Sequence, residues 1–158
     1  MSDINARPNS FPWPPVIYCV AIAIAVLLGY LVPLPWIPSP MSDILFAVGW
    51  LLVAGAIAID VGAMRTMSRH KTTIMPHRGS DHLVTDGPFG FTRNPIYLAN
   101  TMLTLGVGLI SGIVWFLPLA LIAAYATQKL AIEREERHLD LRFGKRFRDY
   151  VKRVRRWI

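Results

Sequence analysis

Two uninterrupted apolar runs, joined by a proline-rich and uncharged turn, dominate the first sixty residues and leave few folds open. The first, Val16–Val32 (VIYCVAIAIAVLLGYLV), carries no charge, and Pro33, Pro35, Pro38 and Pro40 end it. The second extends from about Ser42, read as an N-cap, to about Val61, with Asp60 near its end. Crossing a bilayer takes ~17–25 predominantly apolar residues, so both runs read as membrane spans. The chain is 53% hydrophobic, above what a typical soluble domain carries, and its 158 residues are one domain by length. The single cysteine, Cys19, lies inside the first run, which excludes a disulfide framework and a cysteine zinc site. Met1–Pro15 is polar and proline-rich, without a basic leader or a small-residue cleavage signal, so the first span is read as retained.

The net charge of +7 is distributed in blocks, and the blocks explain it. Of seventeen Lys and Arg, one (Arg7) precedes the first span, five lie between Arg65 and Arg93, and eleven lie from Lys129 onward. Pro33–Pro40 and Ser111–Gly112 have none. This alternation follows the positive-inside bias and puts both termini on the cytoplasmic side, in the cytoplasmic membrane. No nucleic-acid-binding motif accompanies the charge, so no nucleic-acid partner is expected. Asp60 is read as solvated or paired with Arg65.

Pro95 suits the first turn of a helix, because its missing N–H would be unpaired there in any case. A third span is expected from Pro95 to about Ile110, a tight turn at Gly112, and a fourth span from Ile113 to about Ala131. Gly106 and Gly108 allow close helix packing, and Pro118 is expected to bend the fourth span. From Ile132 onward the pattern is amphipathic. Ile132, Leu139 and Phe143 share one helical face; at ~100° per residue, Glu136 falls about 40° to one side and Glu135 about 60° to the other. Glu133, Arg134, Arg137 and His138 point elsewhere. Gly144 is a helix stop. Phe147, Tyr150, Val151, Val154, Trp157 and Ile158 interleave with seven basic residues, as in a segment lying on an anionic membrane. The expected fold is all-α: a polytopic membrane protein with about four transmembrane helices and a cytoplasmic amphipathic C-terminal helix. Its segments are 1–15, 16–61, 62–94, 95–131 and 132–158, in one membrane domain.

Between the second and third spans, LVTDGPFGFTRNPIY (Leu83–Tyr97) is neither membrane helix nor ordinary loop. Connections as long as Gly62–Asn94 are commonly functional. Backbone groups from Leu83 to Gly87 and the Phe89 ring can hold a purine. Asn94 and Tyr97 can hydrogen-bond polar groups, and a carboxylate can take an ammonium or ribose hydroxyls. Equally open from the residues is a structural reading, in which Arg93 pairs with Glu135 or Glu136 to hold a cytoplasmic cap together. His70, His77 and His82 are spaced by seven and five residues but lack a convergent carboxylate motif, so no metal is expected. Nucleophile-elbow, phosphate-loop and zinc-helix motifs are absent from the sequence.

LVTDGPFGFTRNPIY followed, after one helical hairpin, by EERHLDLRFGKRFRDY resembles the integral-membrane methyltransferase superfamily, which includes isoprenylcysteine carboxyl methyltransferases and phospholipid methyltransferases. The likeness runs from about Thr72 to the C-terminus. It implies S-adenosylmethionine as cofactor, with contacts at Leu83, Val84, Phe89, Asn94, Pro95, Ile96 and Tyr97. The paired glutamates map to Glu135, near the acceptor, and Glu136, on the cofactor side. Gly87 joins the cofactor set through its turn. Arg93 either braces the glutamates or holds the methionine carboxylate, bracing being the favoured role. Three positions depart from the prenylcysteine enzymes: Asp81 and Asn94 stand where those have histidines, and Ala131 stands where an arginine meets the substrate carboxylate. An arginine that grips a carboxylate with two N–H groups has no substitute in alanine.

The expected activity is transfer of a methyl group to a lipophilic or small acceptor at the membrane, whether an isoprenylcysteine carboxylate, a phospholipid amine or a thiol. Two alternatives stand beside it: an NADPH-dependent membrane reductase of the sterol type, and a non-catalytic membrane interaction protein using its basic tail. Oligomeric state and the identity of the acceptor are not legible in the residues.

Overall fold

A computed structural model describes residues 13–70 and 83–158. The described residues are helical, and the one β-like feature among them is an isolated parallel bridge between Thr92 and Arg155. In chain order the helices are α1 (Trp13–Leu31), α2 (Met41–Arg69), α3 (Pro95–Ser111), α4 (Phe116–Thr127), α5 (Glu133–Phe143) and α6 (Lys145–Arg153). A 3₁₀ turn, Gly87–Gly90, precedes α3. A five-residue π turn, Gln128–Ile132, runs without a break from α4 into α5.

Two helices, α1 and α2, are long and apolar enough to cross a membrane, and α3 is a shorter apolar helix. Their outward residues match that role: Leu27, Trp50 and Leu51 are all more than half exposed, an apolar surface that suits lipid. At ~1.5 Å per residue, the 29 residues of α2 reach about 44 Å. That exceeds a ~30 Å hydrocarbon core by two to three turns. The second helix therefore continues past its expected end at Val61 as far as Arg69. Hydropathy marks where apolar residues stop, and nothing before His70 breaks the backbone. The start also differs from expectation. Pro40 precedes the helix, Ser42 lies within its first turn, and the Ser39 hydroxyl donates to Asp43 at 2.7 Å.

Helices α2 and α3 approach closely because each presents a glycine to the other. A Cβ on Gly49 would stand 2.9 Å from the Gly106 carbonyl oxygen, and one on Gly106 would stand 2.8 Å from that of Gly49. Gly108 faces Phe116 in the same way, so both glycines of α3 serve packing, as the sequence suggests. Tyr18 and Ala21 of α1 meet Ala123 of α4, flanked by Ile17 and Leu119. Pro118 falls in the first turn of α4, where its missing N–H interrupts nothing, so it starts the helix instead of bending it.

The C-terminal region forms a cap. Phe147, Tyr150 and Val154 are buried against Leu83, Leu139 and Phe143. Most of the apolar stripe expected to lie on a membrane surface is turned inward, with Val151 and Ile158 left exposed. The stripe and the Leu83 segment bury each other, which shields apolar surface without lipid. Gly144, at φ +51, separates α5 from α6 at the expected stop.

Candidate active site between the helix bundle and the cap

The first wall of the site begins at the turn around Gly87. This residue has φ +56, and a Cβ there would lie 2.5 Å from Thr66 Oγ1, so conformation and space both call for glycine. The extension of α2 beyond Val61 supplies Thr66 as the surface beneath the turn. Nearby, His70 Nε2 lies 2.9 Å from an Asp86 carboxylate oxygen, and this contact holds the Asp86 pKa below the ordinary carboxylate range. His77, His82 and Asp81 lie outside the described residues, as does most of Met1–Pro15. Within the 3₁₀ turn, the Phe89 carbonyl accepts the Tyr150 hydroxyl at 2.6 Å. Burial pushes that hydroxyl's pKa up to about 12, which keeps it a proton donor.

Thr92 is fully buried. Its Oγ1 accepts the Asn94 backbone N–H at 3.2 Å and donates to the Arg156 carbonyl at 3.2 Å. The Asn94 side-chain amide donates to that same carbonyl at 2.9 Å. Pro95 then opens α3, and Tyr97 lies in its first turn. The Tyr97 carbonyl accepts from Tyr18 at 3.4 Å and from Thr101 at 2.9 Å, which ties the turn to α1 and to the next turn of α3.

The second wall is the start of α5, where two adjacent carboxylates meet different surroundings. Tyr97 donates its hydroxyl to Glu135 Oε1 at 2.8 Å. Burial raises the Glu135 pKa to about 7; the Glu136 charge adds to the rise and the Tyr97 hydrogen bond opposes it. Glu136 is held instead by two arginines. Arg93 Nη1 lies 3.2 Å from Oε1, while Arg156 donates through Nε to Oε1 at 3.1 Å and through Nη2 to Oε2 at 2.6 Å. The two-point grip of Arg156 is the strong form of such a pair.

The structure therefore brings together Arg93, Asn94, Tyr97, Glu135 and Glu136. Leu83 packs under α6, while Val84, Phe89 and Ile96 are partly buried and Pro95 is buried. Ala131 is wholly buried inside the π turn, so this position contributes packing and no charge. Asp60 makes no ion pair with Arg65 among the described residues; its Oδ1 is buried without a partner. Its position one turn from buried Ala56 and Ala63 puts it on the inner stripe of α2. His138 also turns inward, its Nε2 buried with no partner among the described residues, and burial lowers its pKa.

Sequence reasoning missed Arg156, Tyr150 and Trp157, whose indole donates to Gln128 at 2.9 Å. All three were counted within a basic amphipathic tail, and no local spacing distinguishes them there. A groove of ≈ 830 Å³, within the size range of small-molecule sites, runs along the face of α5 opposite Glu135. Arg93, Glu136, Arg137, Phe147, Val151 and Arg156 line it. Arg93 Nε is buried there without a hydrogen-bond partner among the described residues, a donor beside the Glu136 carboxylate.

Comparison with known proteins supplies what geometry leaves open. No curated protein and no solved structure matches the chain. A family model described as phospholipid methyltransferase matches residues 44–146, from α2 into α6 and through both walls of the site. The chain belongs to the phospholipid methyltransferase family of membrane methyltransferases.

Proposed function

We propose that the protein transfers a methyl group from S-adenosylmethionine to the amine of a membrane lipid. In this reading it crosses the membrane four times, through α1, α2, α3 and α4 with the π turn, and both termini and the cap are cytoplasmic. The observation that carries the proposal is the contrast at Glu135. It is a shielded carboxylate with a proton affinity near neutrality, held by Tyr97, next to a glutamate that two arginines already neutralise.

An ammonium must lose a proton before its lone pair can attack, and a base with a pKa near the working pH is best suited to receive it. Glu135 takes that role, with Tyr97 fixing which oxygen is free to accept the proton. A carboxylate acceptor fits less well. It would meet like charge at Glu135, and buried Ala131 offers it no cation.

The donor set fits the cofactor. Arg93 Nε is an unspent N–H for a carboxylate, Glu136 is an acceptor for ribose hydroxyls or an ammonium, and the Leu83–Gly87 backbone with Phe89 can flank a purine. Asn94, Pro95, Ile96 and Tyr97 complete that side. When bound, S-adenosylmethionine supplies an electrophilic methyl on a sulfonium. The residues have to orient the acceptor, hold its proton and exclude water.

Two measurements test the proposal. Detergent-solubilised protein should bind S-adenosylhomocysteine saturably and gain thermal stability from it. Labelled methyl donor incubated with native membranes should place label in the amino-lipid fraction. Absence of binding at millimolar ligand would remove the methyltransfer reading, and label in protein or volatile product would remove the lipid amine as acceptor.

A further inference from the structure

The segment after α6 does not trail away. It crosses both walls of the site as a strap, Val154–Ile158. The Arg93 backbone N–H donates to the Arg155 carbonyl at 3.0 Å, in the bridge between Thr92 and Arg155. Trp157 pins the end of the strap to Gln128, the first residue of the π turn. Between these anchors, Arg156 works at both ends. Its carbonyl receives Thr92 and Asn94 from the motif wall, and its guanidinium grips both oxygens of Glu136 on the helix wall. The Glu136 side chain is only 17% exposed and that of Arg156 31%, so the pair is better shielded than an ordinary surface ion pair.

We propose that Arg156 is a positioning residue for the methyl-transfer site. It fixes the rotamer of Glu136 against Arg93 and sets the spacing between Asn94 and α5. The inference rests on the methyltransfer reading above; Arg156 itself lies beyond the residues 44–146 that the family model matches. Arg93 reaches Glu136 from the motif and leaves Oε2 to Arg156. Without Arg156 the carboxylate loses its two-point constraint and can rotate, so any ligand group that Glu136 binds is held less well. Lysine keeps the charge but cannot span both oxygens.

The test uses the full chain in detergent and reads S-adenosylhomocysteine affinity, turnover and melting midpoint for wild type, R156A, R156K, E136Q and the E136Q/R156A double variant. R156A keeps the backbone carbonyl, so the contacts to Thr92 and Asn94 survive and the side chain alone is probed. The expected result is about tenfold weaker binding in R156A with a smaller loss of turnover, and intermediate binding in R156K. The double variant should bind no more weakly than E136Q, since two residues acting through one contact are not additive. Wild-type affinity in R156A, or additive losses in the double variant, would overturn the proposal. So would a lowered melting midpoint with affinity intact, which is what a purely structural role gives. Should R156A fail to accumulate, R156K decides: wild-type affinity there rejects the two-point grip. If the wild-type protein binds no S-adenosylhomocysteine, the methyltransfer reading itself fails and the positioning role falls with it. That outcome is distinct from wild-type binding that is indifferent to Arg156.

Discussion

Glu135 and Glu136 are neighbours of one chemical type, and the fold gives them opposite surroundings. About 100° of helical rotation turns one toward Tyr97 at the bundle and the other toward Arg93 and Arg156 at the cap. The first has a neutral hydrogen-bond donor and a pKa near 7; the second has two cations. Glu136 has both oxygens engaged by guanidinium groups, whereas Glu135 is shielded from water and paired only with a hydroxyl, so burial raises its proton affinity. In the proposed mechanism, environment and not residue type divides the roles into proton acceptor and anchor.

The largest expected effect comes from erasing the difference at Glu135. Glu135→Gln keeps the shape and removes the proton acceptor. Methyl transfer should fall by about 10²–10⁴-fold, the usual range for a lost general base, while S-adenosylhomocysteine affinity stays within about twofold. In the wild type, turnover should rise with pH through about 7, as Glu135 loses its proton. That limb should vanish in the variant. A variant that keeps both wild-type turnover and its pH limb would assign the base elsewhere.

Next in size is Tyr97→Phe. A hydrogen bond to a charged group contributes about 1.5–3 kcal/mol, so losing it should cost about tenfold or more in turnover at neutral pH. The Tyr97 bond works against burial and holds the Glu135 pKa down, so removing it should move the acidic limb to higher pH. Glu136→Gln should move that limb the other way. Its charge helps to raise Glu135, and deleting it should shift the limb to lower pH while weakening cofactor affinity about tenfold or less. Opposite displacements by the two variants, measured as pH–rate profiles, are the sharpest check on the division of roles. Displacements of the same sign would dissolve it.

Much of this arrangement was visible in the residues, and the parts that were not have a common cause. The apolar runs, the Asn94–Pro95 helix start, the turn at Gly112 and the stop at Gly144 are local features that a few neighbouring residues specify. The extension of α2 to Arg69 was missed because its last turns are polar although their backbone is still helical. The π turn at Gln128–Ile132 has no compositional mark, yet it sets the rotation at which Glu135 and Glu136 leave the bundle. Arg156 meets Asn94 across 62 residues, and an amphipathic pattern shows that a face is apolar without showing what covers it. The inward turn of Phe147, Tyr150 and Val154 was unreadable for the same reason. Asn94 itself was read as a substitute for histidine in cofactor contact. Its side-chain N–H also donates to the strap, a wall-holding contact that comes from the tail and could not be inferred from the motif alone.

The smallest effect is thermodynamic and separates the two glutamates without any turnover. In the folded state Glu135 keeps its proton up to about 7, whereas in the unfolded chain it titrates at its ordinary value of 4.5. Between those values the folded protein binds more protons than the unfolded one, so stability falls as pH rises and the loss is complete above the folded pKa. Glutamine in its place carries no proton to lose. The difference in melting midpoint, wild type minus E135Q, should therefore decline by a few degrees between pH 5 and pH 8, while contributions from other titrating groups cancel. E136Q should behave differently. It leaves Arg93 and Arg156 facing a neutral amide and lowers the midpoint throughout the same range, since removing one partner of a shielded pair strands the others. A flat wild-type-minus-E135Q difference would mean that Glu135 is as well solvated in the folded protein as in the unfolded chain, and its claim to be the base would fail with it.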